Sequence, residues 1–242
     1  MLQNIFKAKN YVVLDTMEDL QMSDFTVVRN QRQILMIEVK SATIHFNPLE
    51  DVNVEAFKSF VDEQFCQQKD GDGRKNKGIY QLSRQIHDFA TTSTLNRILK
   101  RPDDKSKAVI FPIIIYTDDV MDMAGVNAYV GEKIQDEIET VQQHFKIVQP
   151  LIMINLSFLL RYYAKLKQNP SLLFELFMSY IKTTVERSKA FNKSKNPLLF
   201  FEKNISFDRY AAIKMKDVDF IPSFRELVSD LHLTDNLSGK VV

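Results

Sequence analysis

The sequence predicts an α/β protein, a mixed sheet flanked by helices with a helical C-terminal region packed on it. Three observations carry that expectation. Short runs rich in β-branched residues crowd the first forty positions, and two nearly continuous apolar runs between residues 108 and 154 alternate with segments of helical period. Beyond Pro170 only the helical period remains. The expected division is a core over residues 1–156 and a helical region over 157–242, and no internal repeat or low-complexity segment interrupts it.

Taken in order, Tyr11-Val12-Val13-Leu14 reads as a first strand, Ser23-Asp24-Phe25-Thr26-Val27-Val28 as a second, and Ile34-Leu35-Met36-Ile37-Glu38-Val39-Lys40 as a third. The polar Asn30-Gln31-Arg32-Gln33 between the last two is short enough for a hairpin, so an antiparallel meander is expected. From Asn53 to Gln67 the apolar Val54, Phe57, Phe60, Val61 and Phe65 fall at helical spacing. A loop with three glycines and mixed charge, residues 69–78, separates that helix from another whose buried face is Ile79, Leu82, Ile86 and Phe89. Residues 108–116 read as a strand covered on both faces, with Pro112 placed where no ladder donor is needed. A helix over 126–145, a strand over 150–154 and a helix from near Ser157 continue the alternation. Leu172, Leu173, Leu176, Phe177 and Tyr180 then mark a buried helical face, and shorter helices follow near Phe207 to Met215 and Phe224 to Leu231.

Composition narrows the function classes. A chain of 242 residues with 45% hydrophobic and 26% charged content has enough apolar material for a proper core. Its net charge of +1 excludes nucleic-acid binding by bulk charge, so any phosphate contact must be local. A single cysteine, Cys66, excludes an internal disulfide framework and a multi-cysteine zinc site. Met1-Leu2-Gln3-Asn4 does not open a signal peptide, and the apolar runs fall short of the roughly 20 residues that cross a bilayer. The expectation is a cytoplasmic protein with no membrane partner.

The chemistry concentrates on the third strand. Alternation sends Glu38 and Lys40 to one face while Ile37 and Val39 pack on the other, and the hairpin returns Asp24 alongside them. Two carboxylates and an ammonium thereby converge. A hard divalent cation takes one or two carboxylates with waters and substrate phosphate, and Asp24 and Glu38 supply that pair. The Val39 carbonyl, between the two side-chain directions, offers a third ligand. Lys40 then serves developing negative charge on a phosphate, an electrostatic role favoured over a general base because nearby carboxylates keep it charged. The competing expectation is an ordinary solvated cross-strand ion pair. The apolar surroundings of residues 34–39 weigh against it, because charges at the end of a central strand are seldom decorative.

The order Asp24, thirteen residues, then Glu38-Val39-Lys40, with Gly78-Ile79-Tyr80-Gln81-Leu82 opening the following helix, resembles the PD-(D/E)XK nuclease superfamily with its restriction-endonuclease-like fold. The resemblance covers about residues 10 to 120. It implies that Asp24 and Glu38 are metal ligands, that Lys40 is the catalytic lysine, and that Gln81 positions the lysine, water or substrate. It also implies Mg2+ or Mn2+ as cofactor and hydrolysis of phosphodiesters, in DNA before RNA. One departure is plain: family members usually carry a helix with an acid before the first strand, and none of Met1 to Asn10 is acidic. The alternative is a catalytically inactive module of the same fold that mediates protein–protein or nucleic-acid binding, with a protein partner or a second copy engaged through the helical region.

Other residues have blander readings. Asp15, Glu18 and Asp19 read as a solvated turn, His87 as a packing or surface residue, Asp118-Asp119 as a helix cap and Cys66 as structural. Tyr162 and Tyr163 read as buried before base-stacking. Basic clusters at residues 69–77, 97–107 and 182–195 read as solvated faces, the first being the best placed to track phosphates toward Gln81.

Overall fold

The computed structural model describes residues 1–15, 23–41, 53–66, 78–99, 105–216 and 220–231. Among these are six strands in one mixed open sheet and eleven α-helices. Strands β1 (Tyr11–Asp15), β2 (Phe25–Arg29) and β3 (Gln33–Lys40) form the expected antiparallel meander. Its second turn places both Asn30 and Gln31 at positive φ, 50° and 54°, and closes with the Arg32 N–H donating to the Arg29 carbonyl at 3.1 Å. Two successive left-handed residues match the twist of a hairpin, which fixes Phe25 opposite Ile37 and extends the ladder toward Asp24 and Glu38.

Strand β4 (Val109–Tyr116) lies parallel to β3 over its whole length, from Gln33 opposite Val109 to Lys40 opposite Tyr116. Its far edge is shared by β5 (Ile147–Val148) and β6 (Ile152–Asn155), both parallel to it. The register shifts by one residue between them. The Gln149 N–H donates to the Ile110 carbonyl at 2.8 Å, so Ile110 faces this edge, and Pro112 two residues on faces it too. The missing proline donor therefore meets the break between β5 and β6, where no ladder bond is lost. The strand expected over 150–154 is β6, shifted to 152–155, and β5 is an additional short strand before it.

Helices cover both faces. On one lie α2 (Val54–Phe65), α3 (Ile79–Thr91), α4 (Thr94–Leu99) and α5 (Val126–Ile138), packing Phe65, Ile86, Phe89, Leu95 and Ile134 onto Ile34, Met36, Ile110 and Ile114. Helix α5 stops at Ile138, short of Phe145, and a 3-10 turn over Gln142–His144 leads into β5. On the other face lie α1 (Leu2–Ile5), α6 (Leu156–Arg161), α7 (Tyr163–Gln168), α8 (Ser171–Ser194), α10 (Phe207–Met215) and α11 (Phe220–Asp230), with α9 (Pro197–Lys203) packed along α8. Here aromatic rings do most of the filling: Phe111 of β4 meets Phe174 edge-on at 5.8 Å, and Phe207 meets Phe177 at 5.2 Å. Each buried ring contributes about 2–3 kcal/mol of transfer free energy. The C-terminal helices are therefore a layer of the sheet's core. Tyr162 and Tyr163 are buried within it.

One glycine decides where α3 starts. Gly78 precedes Ile79 at φ +53°, and a Cβ there would stand 2.2 Å from the Phe65 carbonyl oxygen at the end of α2. Only glycine permits the close crossing of these two helices, and α3 carries Gln81. Gly78→Ala is expected to lower stability by about 2–4 kcal/mol in urea or thermal unfolding, from left-handed strain plus overpacking.

Candidate active site

The parallel strands β3, β4 and β6 end together, and Lys40, Tyr116 and Asn155 stand side by side along that carboxyl-end rim. Open α/β sheets bind their ligands at such a rim. At its β2 side the four side chains singled out from the sequence come together. Lys40 Nζ donates to Glu38 Oε1 at 2.5 Å and to Gln81 Oε1 at 3.1 Å. The Val39 N–H donates to Asp24 Oδ2 at 2.7 Å.

The placement follows from the strands. Ile37 and Val39 pack into the core under the C-terminal helices, whereas Ile34 and Met36 pack under α3, so Glu38 and Lys40 share the α3 face. Gln81, in the first turn of α3, meets Lys40 there. Because β2 begins at Phe25, Val39 has no backbone partner beyond it and bonds the Asp24 side chain instead. N–H and C=O of a strand residue leave on the same edge, so the Val39 carbonyl faces the Asp24 side as well.

Glu38 is 1% exposed, while the Lys40 side chain retains 19%. Burial pushes the Glu38 carboxyl up to about 7; the Lys40 hydrogen bond and charge oppose this, the Asp24 charge reinforces it, and burial wins. Its second oxygen, Oε2, is buried without a hydrogen-bond partner among the described residues. A carboxylate left half satisfied in a dry place is costly, which marks this atom as the site's open valence.

Two residues that the sequence reading did not single out hold Asp24 in place. Ser23 is 2% exposed, and its N–H donates to Gln85 Oε1 at 3.0 Å. Gln85 is also buried and follows Gln81 by four residues, one turn along the same face of α3. That spacing was the available signal. One helix face thus fixes both the approach to Asp24, through Gln85, and the Lys40 ammonium, through Gln81.

A cavity of about 660 Å³ opens beside this edge, lined by Met1, Gln3, Asp24, Val39, Ile115 and Leu156 among others. It reaches Asp24 and Val39 and stops short of Glu38, Lys40 and Gln81. The helix missing from the sequence expectation has a partial counterpart, since the four-residue α1 brings Met1 and Gln3 to that cavity, without an acid.

The remaining candidates separate cleanly. Asp118 caps the 3-10 turn Asp119–Asp122 by accepting the Val120 N–H at 3.0 Å. His87 Nε2 lies 2.9 Å from the Glu137 carbonyl, tying α3 to α5. Cys66 has its thiol pushed up to about 12, chiefly by burial, which leaves it inert at neutral pH. Glu18, Asp19 and the basic residues 69–77 lie outside the described residues, as do Lys100 and Arg101. Farther along the rim, Asp208 of α10 accepts the Asn155 N–H at 3.1 Å and the Tyr116 hydroxyl at 3.2 Å, and burial pushes it up to about 7. It pins a C-terminal helix to the strand ends. Among the described residues no group of three or more His, Cys, Asp and Glu side chains is arranged to hold a metal. No helix among them is long and apolar enough to cross a membrane.

Comparison with family models, with curated proteins and with solved structures finds no match to this chain. The class that the fold and rim define is an α/β protein with a charged cluster at the carboxyl ends of its parallel strands.

The raised Glu38 carboxyl has a definite sign. The folded state holds a proton that the unfolded chain has released above about 4.5, so the stabilisation is complete below that pH and is lost as pH rises through about 7. Asp208 acts in the same direction, and Glu38→Gln isolates the Glu38 share. The stability of Glu38→Gln relative to wild type is expected to rise by up to about 3 kcal/mol between pH 4.5 and 8 in urea titrations. A difference that stays flat places an ionised Glu38 at both ends of the range.

Proposed function

We propose that the protein is a divalent-metal-dependent nuclease with a PD-(D/E)XK restriction-endonuclease-like core, hydrolysing phosphodiesters of DNA. The observation that carries the reading is the convergence of Asp24, Glu38, Lys40 and Gln81 at one strand edge, with Glu38 Oε2 buried and unpartnered among the described residues. Those donors fit a hard cation: two carboxylates and the Val39 carbonyl are oxygen ligands, and magnesium sites commonly take no more than two carboxylates from the protein. Magnesium or manganese bound there supplies Lewis acidity toward the scissile phosphate and a more acidic water.

The chain's own groups do the rest. Asp24 accepts the Val39 N–H, and Glu38 accepts the Lys40 ammonium one residue along the same strand end. Lys40 brings a fixed positive charge to the place where charge grows on the phosphate, and Gln81 restrains its ammonium from the helix side. The sheet and α3 keep water from Glu38, which strengthens every electrostatic contact within the cluster.

One observation favours the rival reading, a nuclease-fold interaction module without turnover. The cavity touches Asp24 and Val39 but not Glu38, and Lys40 is engaged by Glu38. The two readings part on cleavage. With Mg2+, wild type is expected to cut plasmid or single-stranded DNA, and Glu38→Ala and Lys40→Ala to lose about 10²–10³-fold in rate. Equal background cleavage by all three, with no rise in the wild-type melting temperature on adding Mg2+ or Mn2+, establishes the rival.

A further inference from the structure

Helix α8 is 24 residues long, yet all its buried positions lie between Leu173 and Tyr180. From Lys182 to Asn204 no residue is buried; the second half of α8 and α9 form a helical hairpin whose one side, Thr184, Val185, Ser188 and Lys203, lines a cavity with α5, and whose other side is left to solvent. The hairpin has internal order of its own. Lys195 at φ +55° ends α8, Asn196 caps α9 by accepting the Leu198 N–H, and Arg187 pairs with Glu202 at 3.0 Å. Phe191 packs on Phe200 at 5.6 Å, and Lys203 sits over both rings at 4.7 and 5.4 Å. A segment stapled in this way, while contributing nothing to the core, is built to present its surface.

That surface is basic and aromatic. Between residues 182 and 203, Lys182, Arg187, Lys189, Lys193, Lys195 and Lys203 face only Glu186 and Glu202, a net +4 in a chain whose total is +1, which leaves the rest at −3. Lys182, Lys189 and Lys193 follow the i, i+7, i+11 spacing of one helix face, a stripe about 16 Å long. Lys189 and Lys193 are exposed, with no carboxylate partner among the described residues. At the tip, Leu198 is 71% exposed and Phe201 is 64% exposed.

We infer that the α8–α9 hairpin is a binding arm for single-stranded nucleic acid, its lysine stripe tracking phosphates and its exposed phenylalanine stacking on a base. Charge complementarity selects this occupant. A second copy meeting it arm to arm would set one +4 surface against another. A membrane surface calls for a broad continuous apolar face, whereas Leu198 and Phe201 make a two-residue patch on one side of a seven-residue helix, with the charged Glu202 and Lys203 directly after them. Duplex bases are already stacked, while a single strand offers their faces to an aromatic ring. The inference extends the nuclease reading by giving it a substrate-holding surface, but binding in the absence of metal reads it out separately.

The test is fluorescence anisotropy of a labelled oligothymidylate with the full chain in EDTA. Wild type binds, and more weakly as salt rises; Lys189→Glu with Lys193→Glu loses at least about tenfold and flattens the salt dependence. Phe201→Ala loses about tenfold with the salt slope kept. All these side chains are exposed, so melting temperatures stay at the wild-type value. Unchanged affinity in both variants overturns the inference. So does binding to phosphatidylserine vesicles in place of the oligonucleotide, or a concentration-dependent dimer that Phe201→Ala dissolves. Glu38→Ala keeps its affinity for the oligonucleotide; arm-dependent binding without cleavage by wild type removes the nuclease reading and leaves the arm standing.

Discussion

The Glu38 carboxylate sits near the end of β3, just past the last β2 pair and still alongside β4, and it is almost fully buried, so its charge is offset by protein groups or a cation and hardly by water. Removing a carboxylate from water costs several kcal/mol even after relaxation. A single ammonium on one of its oxygens opposes that cost without cancelling it, and burial still pushes the carboxyl up. The arrangement is a local expense in an otherwise apolar sheet, and the surrounding elements can be understood by how they maintain it. Strand β4 seals one edge over eight residues, and the hairpin brings β2 to the other, where its ladder begins only at Phe25, one residue after Asp24. The late start leaves the Val39 amide to a carboxylate.

Support for the cluster comes from one helix. The Gly78 crossing lets α3 start directly against the end of α2, and from there Gln81 and Gln85 reach β3 and the residue before Asp24. The acid and the lysine are therefore positioned from the same rigid face, so a shift of α3 would disturb both together. This is the usual demand of an electrostatic site, whose groups work by being held in place before charge develops. The second buried acid, Asp208, does different work: it bonds the ends of β4 and β6 and anchors α10, fastening the C-terminal layer to the same rim.

Much of this was legible in the sequence because it rests on period and spacing. The alternation in residues 34–40 gave the faces of Glu38 and Lys40, the polar break at 30–33 gave the hairpin, and the apolar run at 108–116 gave a strand buried on both faces. Gln81 was singled out through the nuclease resemblance alone, since by period it was one more polar residue at the start of a helix. Other features depend on contacts between distant segments and leave no periodic trace. Gln85 looked like one more polar residue on α3 until Ser23, 62 positions earlier, was seen to donate to it. The split of β5 from β6 follows from Pro112 on a neighbouring strand, and the role of Asp208 follows from Tyr116 and Asn155. The lysines of residues 182–195 read as an ordinary solvated face because sequence shows charge but not that the helix carrying them leaves the core.

The central claim is that Asp24 and Glu38 share a cation beside Lys40. Anomalous diffraction from crystals grown with Mn2+ tests it most directly. The account predicts one strong peak in coordination contact with both carboxylates and the Val39 carbonyl, present in wild type and absent in Glu38→Gln. A Mn2+ peak confined to other carboxylates such as Asp119, Asp122 and Asp208, or no peak at the Asp24 edge at saturating Mn2+, would contradict it.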